Sequence, residues 1–210
     1  MTTNISKIAN VLLWTLFALL AIIVGLYPGF YFVLDRKFSL LAFKGDVLLK
    51  DVLWNVSFYI HIITGGLALL IGWLQFSRKF RLRQQSIHRT VGKLYAVLAV
   101  FSSIAGIHLA FFAFGGPIAR SGFGCLGVIW LLATTASYLA IRKGNILRHR
   151  QMALLSYAAC FSAVTLRFWL QLFIKNGMDF LLAYQIVAWL CWVPNLLVAV
   201  AIAETRKMSL

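Results

Sequence analysis

One arginine, Arg167, lies in the middle of an apolar run that is long enough to cross a membrane. The run from Met152 to Ile174 contains no other charged residue. A guanidinium is costly to place in lipid, so we expect Arg167 to face the interior of a helix bundle. At about 100° per residue, the polar side chains of this helix share one face. That face carries His149, Ser156, Cys160, Ala163, Arg167 and Gln171, and it predicts a polar site inside the membrane.

Histidines occur at two levels of the predicted bundle. His61 and Arg167 each lie roughly 25 Å from the predicted cytoplasmic boundary, while His88 and His149 lie at that boundary. Two histidines on neighbouring helices can hold a haem iron axially, and adjacent arginines can bind the propionates. We therefore predict His88 and His149 as the iron ligands of a b-type haem, with a second polar site nearer the outer face. The predicted cofactor-binding residues are His61, His88, Arg89, His149, Arg150, Arg167 and Asn195.

The remaining histidine, His108, follows His88 on the same predicted helix. The two positions are about 200° apart around the helix axis. If His88 faces the bundle, His108 faces away from it. We expect His108 to lie at the membrane interface or to pack against the first helix.

Structural explanations compete with each of these assignments. Histidine and arginine at the cytoplasmic start of a helix can contact lipid phosphates, because that boundary is wet and anionic. Arg167 can act as a clamp that donates to backbone carbonyls, to Gln171 or to Tyr184. No Asp or Glu lies inside a predicted span, so Arg167 lacks a counter-ion. That absence favours an anionic ligand, a haem propionate or a quinone carbonyl as its partner.

The elements that must position these residues are membrane-spanning helices. The chain has 210 residues, of which 62% are hydrophobic, and a mean hydropathy of +0.89. A soluble domain of this size cannot bury so much apolar surface, so the bilayer must act as solvent. We predict an all-α, polytopic membrane protein, a six-transmembrane-helix bundle that forms one domain over residues 1–210. The predicted helices are about 11–34, 52–76, 90–114, 121–141, 151–174 and 180–203.

Charge predicts the orientation of the bundle. Twenty basic residues stand against five acidic ones, and most of them cluster in the second connection, the fourth connection and the C-terminal tail. Because basic loops stay in the cytoplasm, both termini should be cytoplasmic. The basic clusters are separate, which excludes nucleic acid as a partner and favours anionic headgroups of the lipid bilayer. Faces rich in small residues predict that helices two, three, five and six enclose a polar seam, with helix one peripheral.

An ordered series of residues along the chain resembles a bacterial multi-pass family, domain of unknown function 2306. The resemblance runs from about His61 to Glu204 and implies an integral protein of the bacterial inner membrane, without a reaction. Met152-Ala153 and Leu155 depart from the family's Trp-Met pair and further arginine. Histidine placement alone gives a fainter similarity to transmembrane b-type cytochromes. The series is His61, Gly65-Gly66, Ala68-Leu69, Gly72, Gln75-Phe76, His88-Arg89, Gly92, Tyr95, Gly122-Phe123, His149-Arg150, Ala163 to Arg167, Tyr184, Ala188-Trp189 and Cys191 to Asn195.

Three functions fit these features. The leading hypothesis is a b-type haem or quinone-like ligand between helices two, three and five, serving electron transfer in a membrane oxidoreductase or electron carrier. The second is the binding or transport of a small anionic or amphipathic molecule, with Arg167 as the anchor. The third is an accessory subunit that packs against membrane-protein partners in a larger complex. Hydrolysis is improbable, because the predicted spans contain no carboxylate to complete a catalytic triad.

Overall fold

The computed structural model describes residues 2–35, 37–38, 41–42 and 44–207. Within these ranges the chain is helical and contains no strand. Six helical segments are long and apolar enough to cross a membrane, and each overlaps one predicted span. The all-α, six-helix membrane fold is confirmed. The spans are Lys7–Phe32, Val52–Phe76, Gln85–Ala110, Gly116–Arg142, Ile146–Lys175 and Phe180–Thr205.

Several spans consist of two helical pieces, and short helices lie between spans. The α-helices are α1 (Thr2–Leu26), α2 (Asp46–Lys50), α3 (Val52–Gly72), α4 (Arg78–Arg83), α5 (Gln85–Ala110), α6 (Gly116–Arg142), α7 (Ile146–Cys160), α8 (Ser162–Lys175), α9 (Phe180–Leu190) and α10 (Val193–Lys207). Tyr27–Phe32 is a 3-10 turn that continues α1, and Trp73–Phe76 is one that continues α3.

Short polar side chains begin several of these helices. The Asp51 carboxylate accepts a hydrogen bond from the backbone N–H of Trp54 at 2.6 Å, which caps α3. Asn145 caps α7 and Asp179 caps α9 in the same way. Such caps satisfy backbone donors that have no partner within the helix. Gly115, with φ of +95°, turns the chain into α6.

The fifth and sixth spans each break near the middle of the bundle. Span five breaks at Phe161, between α7 and α8, and span six breaks between α9 and α10. Pro194 is the second residue of α10 and has no N–H with which to continue α9, which accounts for the break in span six. The Asn195 amide donates to the carbonyls of Ala158 and Cys191 at 3.3 and 3.0 Å. These bonds join the two breaks.

Glycines allow the helices to approach closely. A Cβ on Gly66 would lie 2.7 Å from the carbonyl oxygen of Gly25, so α1 and α3 touch through their backbones. A Cβ on Gly122 would likewise lie 2.7 Å from the carbonyl oxygen of Ala188 in α9. Small residues at such crossings are typical of membrane helices. The prediction that helix one is peripheral is wrong at its C-terminal end, where Tyr31 lines a cavity inside the bundle.

Two side chains also differ from the straight-helix projection. The alternative that His108 packs against the first helix is wrong, because its Nδ1 lies 2.8 Å from the hydroxyl of Ser57 in α3. Its place at the membrane interface stays a prediction. The break at Phe161 changes the register of the polar face in span five. Ser156 is buried before the break, whereas Gln171 is exposed after it. A straight-helix projection fails for span five because α7 and α8 are separate helices.

Candidate functional site

A cavity of about 280 Å³ lies in the half of the bundle next to the first and third connections. All six spans contribute to its walls, which are mostly apolar. No carboxylate is among the described residues that line it. The walls of the cavity are therefore mostly apolar, and their charged side chains are cations. Its main polar side chains are Lys44, Trp54, His61, Ser102, Arg167 and Tyr184.

The guanidinium of Arg167 is half-buried at this cavity. It lies over the ring of Tyr27, with 4.4 Å between Cζ and the ring centroid. One of its terminal nitrogens donates to the carbonyl of Ala163 at 2.7 Å. A guanidinium has five N–H donors, and the described part of the chain supplies one hydrogen-bond acceptor to it. Arg167 therefore retains donors for a ligand oxygen.

The imidazole of His61 is fixed by α5. Its Nδ1 lies 2.8 Å from the carbonyl oxygen of Ser102, and the Ser102 hydroxyl donates back to the carbonyl of His61 at 3.0 Å. A carbonyl can only accept, so Nδ1 carries the proton. Nε2 is thus the ring nitrogen that remains for a ligand. The ring packs against Gly106, where a Cβ would lie 3.0 Å from the ring atoms Cε1 and Nδ1.

Trp54 is a wall residue that the sequence did not single out for binding. It is 3% exposed, and its ring stacks on Phe58 with 5.3 Å between ring centroids. Its indole N–H is buried without an acceptor among the residues that the structure describes. An unpaired buried donor costs about 1–3 kcal/mol, which a ligand oxygen could recover. The sequence contained a sign that Trp54 shares the site, because Trp54 and His61 are two turns apart on one face of α3.

Lys44 reaches the cavity from the first connection. Its ammonium donates to the carbonyl of Phe112, beyond the end of α5. Burial lowers the pKa of Lys44, and the positive charge of Arg120 lowers this pKa further. The sequence showed only a loop with mixed charges, and a loop residue has no helical periodicity that would reveal its direction.

The boundary histidines lie at the opposite end of the bundle, beside α4. The Nδ1 atom of His149 lies 3.1 Å from the carbonyl oxygen of Ser137 and 3.0 Å from its hydroxyl. The Nδ1 atom of His88 is buried without a partner in the described ranges. Neither histidine lines the cavity, and the arginines that follow them are exposed. The structure thus brings His61 and Arg167 to one cavity and places the boundary pair elsewhere.

Asn195 also lies away from the cavity lining. Besides the two carbonyls at the helix breaks, its amide donates to the Thr165 hydroxyl at 3.1 Å. That hydroxyl in turn donates to the carbonyl of Cys191. These contacts describe a clamp between spans five and six. No group of three or more His, Cys, Asp or Glu side chains suited to a metal ion occurs in the described chain.

Comparison with known proteins identifies the family of this chain, and the family's description names no reaction. The model of the family described as Predicted membrane protein (DUF2306) matches residues 58–203, which is more than half of the chain. The chain belongs to this family, as the ordered series in its sequence predicted. No curated protein and no solved structure matches the chain. The similarity to transmembrane b-type cytochromes stays a prediction.

Proposed function

We propose that this multi-pass membrane protein binds a small amphipathic molecule whose oxygen-bearing, anionic head group lies against Arg167 and His61. One observation carries the proposal. The Arg167 guanidinium lies at an apolar cavity that contains a second cation, Lys44, and no lining carboxylate within the described chain. A buried cation is normally paired with an anion or a hydrogen-bond acceptor. A ligand carboxylate or phosphate would supply both.

The shape and lining of the cavity favour an amphipath over a free ion. Its volume of about 280 Å³ is near the lower end of the range of about 300–1,000 Å³ that is usual for small-molecule sites. Apolar side chains such as Leu69 and Trp130 line the part nearer the centre of the bundle. An anionic head at Arg167 and an apolar tail beside these residues would match the two kinds of surface.

The proposal is tested with dansylaminoundecanoic acid, a fluorescent long-chain carboxylate, and the purified protein in phosphatidylcholine nanodiscs. We expect saturable binding, and weaker binding of the methyl ester of the same probe. Arg167→Gln should lower the affinity by roughly 10–150-fold, since a hydrogen bond to a charged group contributes about 1.5–3 kcal/mol. Arg167→Lys, which keeps the charge, should recover part of the affinity.

The matched control is Arg142→Gln. Arg142 is exposed at the C-terminal end of α6, away from the α6 residues that line the cavity, so its loss should leave the probe affinity unchanged. Equal binding of the acid and its ester, or equal affinities for Arg167→Gln and Arg142→Gln, would contradict the proposal. Displacement of the probe by decylubiquinone but not by undecanoate would reassign the head group to a quinone, which the redox hypothesis requires.

A b-type haem between His88 and His149 is a second candidate, with its own observation. The Nδ1–H of His149 donates to the Ser137 carbonyl, which leaves Nε2 to bind iron as axial histidines do. Haem supplies four ligands itself, so two histidines suffice. Arg89 and Arg150, each next to one histidine, would meet the propionates. A reduced-minus-oxidised spectrum of protein expressed with haem precursor decides: no Soret band, or a band unchanged in His88→Ala, removes haem.

The location that we propose is the bacterial inner membrane, with both termini in the cytoplasm. The alternation of basic and charge-poor connections supports this orientation. A fluorescent protein that matures only in the cytoplasm, fused to the C-terminus, should fluoresce. Fluorescence lost there but gained in a fusion truncated after the third span would reverse the orientation.

A further inference from the structure

A second concavity lies between α5 and α6 and has a volume of about 500 Å³. Its lining is almost wholly apolar, and most of its side chains face away from the bundle core. Cys125 is exposed in it, and Arg120 and Ser121 are the exposed polar residues of its lining. The space exists because Gly124 has no side chain: a Cβ there would meet only the Ala110 side chain, at 4.0 Å. We call this concavity the α5–α6 groove.

The α5–α6 groove and the central cavity share a thin wall. Ala110 lines both of them. Beside it, Ile107 of the groove packs on Gly127 of the cavity, where a Cβ would lie 2.7 Å from Ile107 Cγ1. One small side chain and one glycine contact therefore separate a surface that faces the membrane from the interior site.

The Ala110 part of the wall lies where α5 ends. Ala110 is the last residue of α5, and the next residues continue as turns. The N–H groups of Phe111, Phe112 and Ala113 each donate to the carbonyl three residues earlier. Displacing these turns does not require the hydrogen bonds of the long helix to break.

Basic side chains lie along the path from the α5–α6 groove to the cavity. Arg120 lines the groove, Lys44 lines the cavity and donates to the carbonyl of Phe112, the residue after Phe111 of the groove, and Arg167 also lines the cavity. No carboxylate lines either concavity in the part of the chain that the structure describes. A head group that moved along this path would pass from one positive charge to the next.

We propose that the α5–α6 groove is the lateral portal through which the amphipathic anion passes between the membrane and the cavity, with Arg120 as the first contact of its head group. This inference rests on the proposed function of the cavity. It adds a second binding position, at Arg120, to the site in the cavity. It also implies that the ligand reaches the protein from the lipid phase.

Stopped-flow fluorescence with dansylaminoundecanoic acid in phosphatidylcholine nanodiscs tests the portal. Gly124→Leu fills the groove without touching the cavity, so it should slow association and dissociation alike by about tenfold or more, with an unchanged Kd, as expected for a gating step. Ala201→Leu, on an exposed face of α10, is the control and should change neither rate. Arg120→Gln should slow association, whereas Arg142→Gln should not.

The native thiol gives a second measurement that needs no folding of a bulky variant. N-ethylmaleimide should label exposed Cys125 and spare buried Cys160 and Cys191. Labelled protein should show the same slowed kinetics, and Cys125→Ser treated in the same way should not. Unchanged rates after Gly124→Leu or labelling, with the affinity intact, would overturn the portal and leave the cavity's function standing. No saturable binding to the unmodified chain would overturn both.

Discussion

Replacement of Gly106 by alanine is the sharpest test of how the structure holds the cavity. Gly106 lies in the interior of α5, and its missing side chain leaves room for the imidazole of His61. A Cβ at this position would lie 3.0 Å from both Cε1 and Nδ1 of that ring. Ordinary van der Waals contacts are several tenths of an ångström longer, so the ring must move. The 2.8 Å hydrogen bond from Nδ1 to the Ser102 carbonyl must then lengthen.

Two effects of opposite sign set the magnitude. Alanine in place of glycine in a helix interior stabilises by about 1 kcal/mol. Crowding in a packed interior costs about 1–3 kcal/mol. The net loss of stability should thus stay below about 2 kcal/mol, so the protein folds. Losing one neutral hydrogen bond at the site costs about 0.5–1.5 kcal/mol, which lowers the probe affinity roughly 2- to 12-fold.

The assay combines probe titration with thermal unfolding. Unfolding is followed by maleimide labelling of buried Cys160 and Cys191, in a Cys125→Ser background. Gly92→Ala is the matched control on the same helix, since its Cβ would lie 3.4 Å from the flexible side chain of Gln75. It should raise stability and leave the affinity unchanged. If Gly106→Ala behaved like this control, His61 would not be held against α5 as described.

Three further predictions follow from the packing. Gly122→Ala should destabilise the protein by about 1–3 kcal/mol, because its Cβ would meet a backbone oxygen of α9. Gly124→Ala should be tolerated, because its Cβ would meet only the Ala110 side chain at 4.0 Å. Equal thermal midpoints of maleimide labelling for the two variants would contradict this. Asn195→Ala should lower stability by about 1–2 kcal/mol and leave the probe affinity unchanged, because the Asn195 amide joins the two helix breaks outside the cavity. If this variant kept its stability and lost probe affinity, Asn195 would be a ligand contact instead. Arg167→Leu should abolish probe binding without lowering the labelling midpoint.

The sequence predicted the spans, and the placement of His61 and Arg167 at one level inside the bundle, for a definite physical reason. Long apolar runs can only be helices in a bilayer, because lipid offers no partner to backbone N–H and C=O groups. The same cost predicted that Arg167 faces inward, and depth along the helices placed His61 at its level. Periodicity around a straight helix carried this part of the prediction, which works wherever a helix is unbroken.

The parts that were missed lie where periodicity fails. Span five changes helix at Phe161, so Gln171 did not follow the face of Ser156. His108 contacts α3 instead of the first helix because α5 packs between α3 and α6, so more than one of its faces meets other helices. Lys44 comes from a loop, and Tyr27 from the 3-10 turn after α1, and neither segment has a repeat that shows where a side chain points.

The energetics of Arg167 distinguish a clamp from a ligand anchor. Placing arginine at the centre of a span costs about 2.5–3.5 kcal/mol on insertion scales. Its position over Tyr27 returns about 0.5–2 kcal/mol, and its bond to the Ala163 carbonyl, which involves a charged donor, returns about 1.5–3 kcal/mol. The two contacts together are close in size to the cost, so the arginine adds little net stability to the fold. A residue with that balance fits a site that is completed by an anion from outside the chain, which is why its removal should impair binding while stability persists.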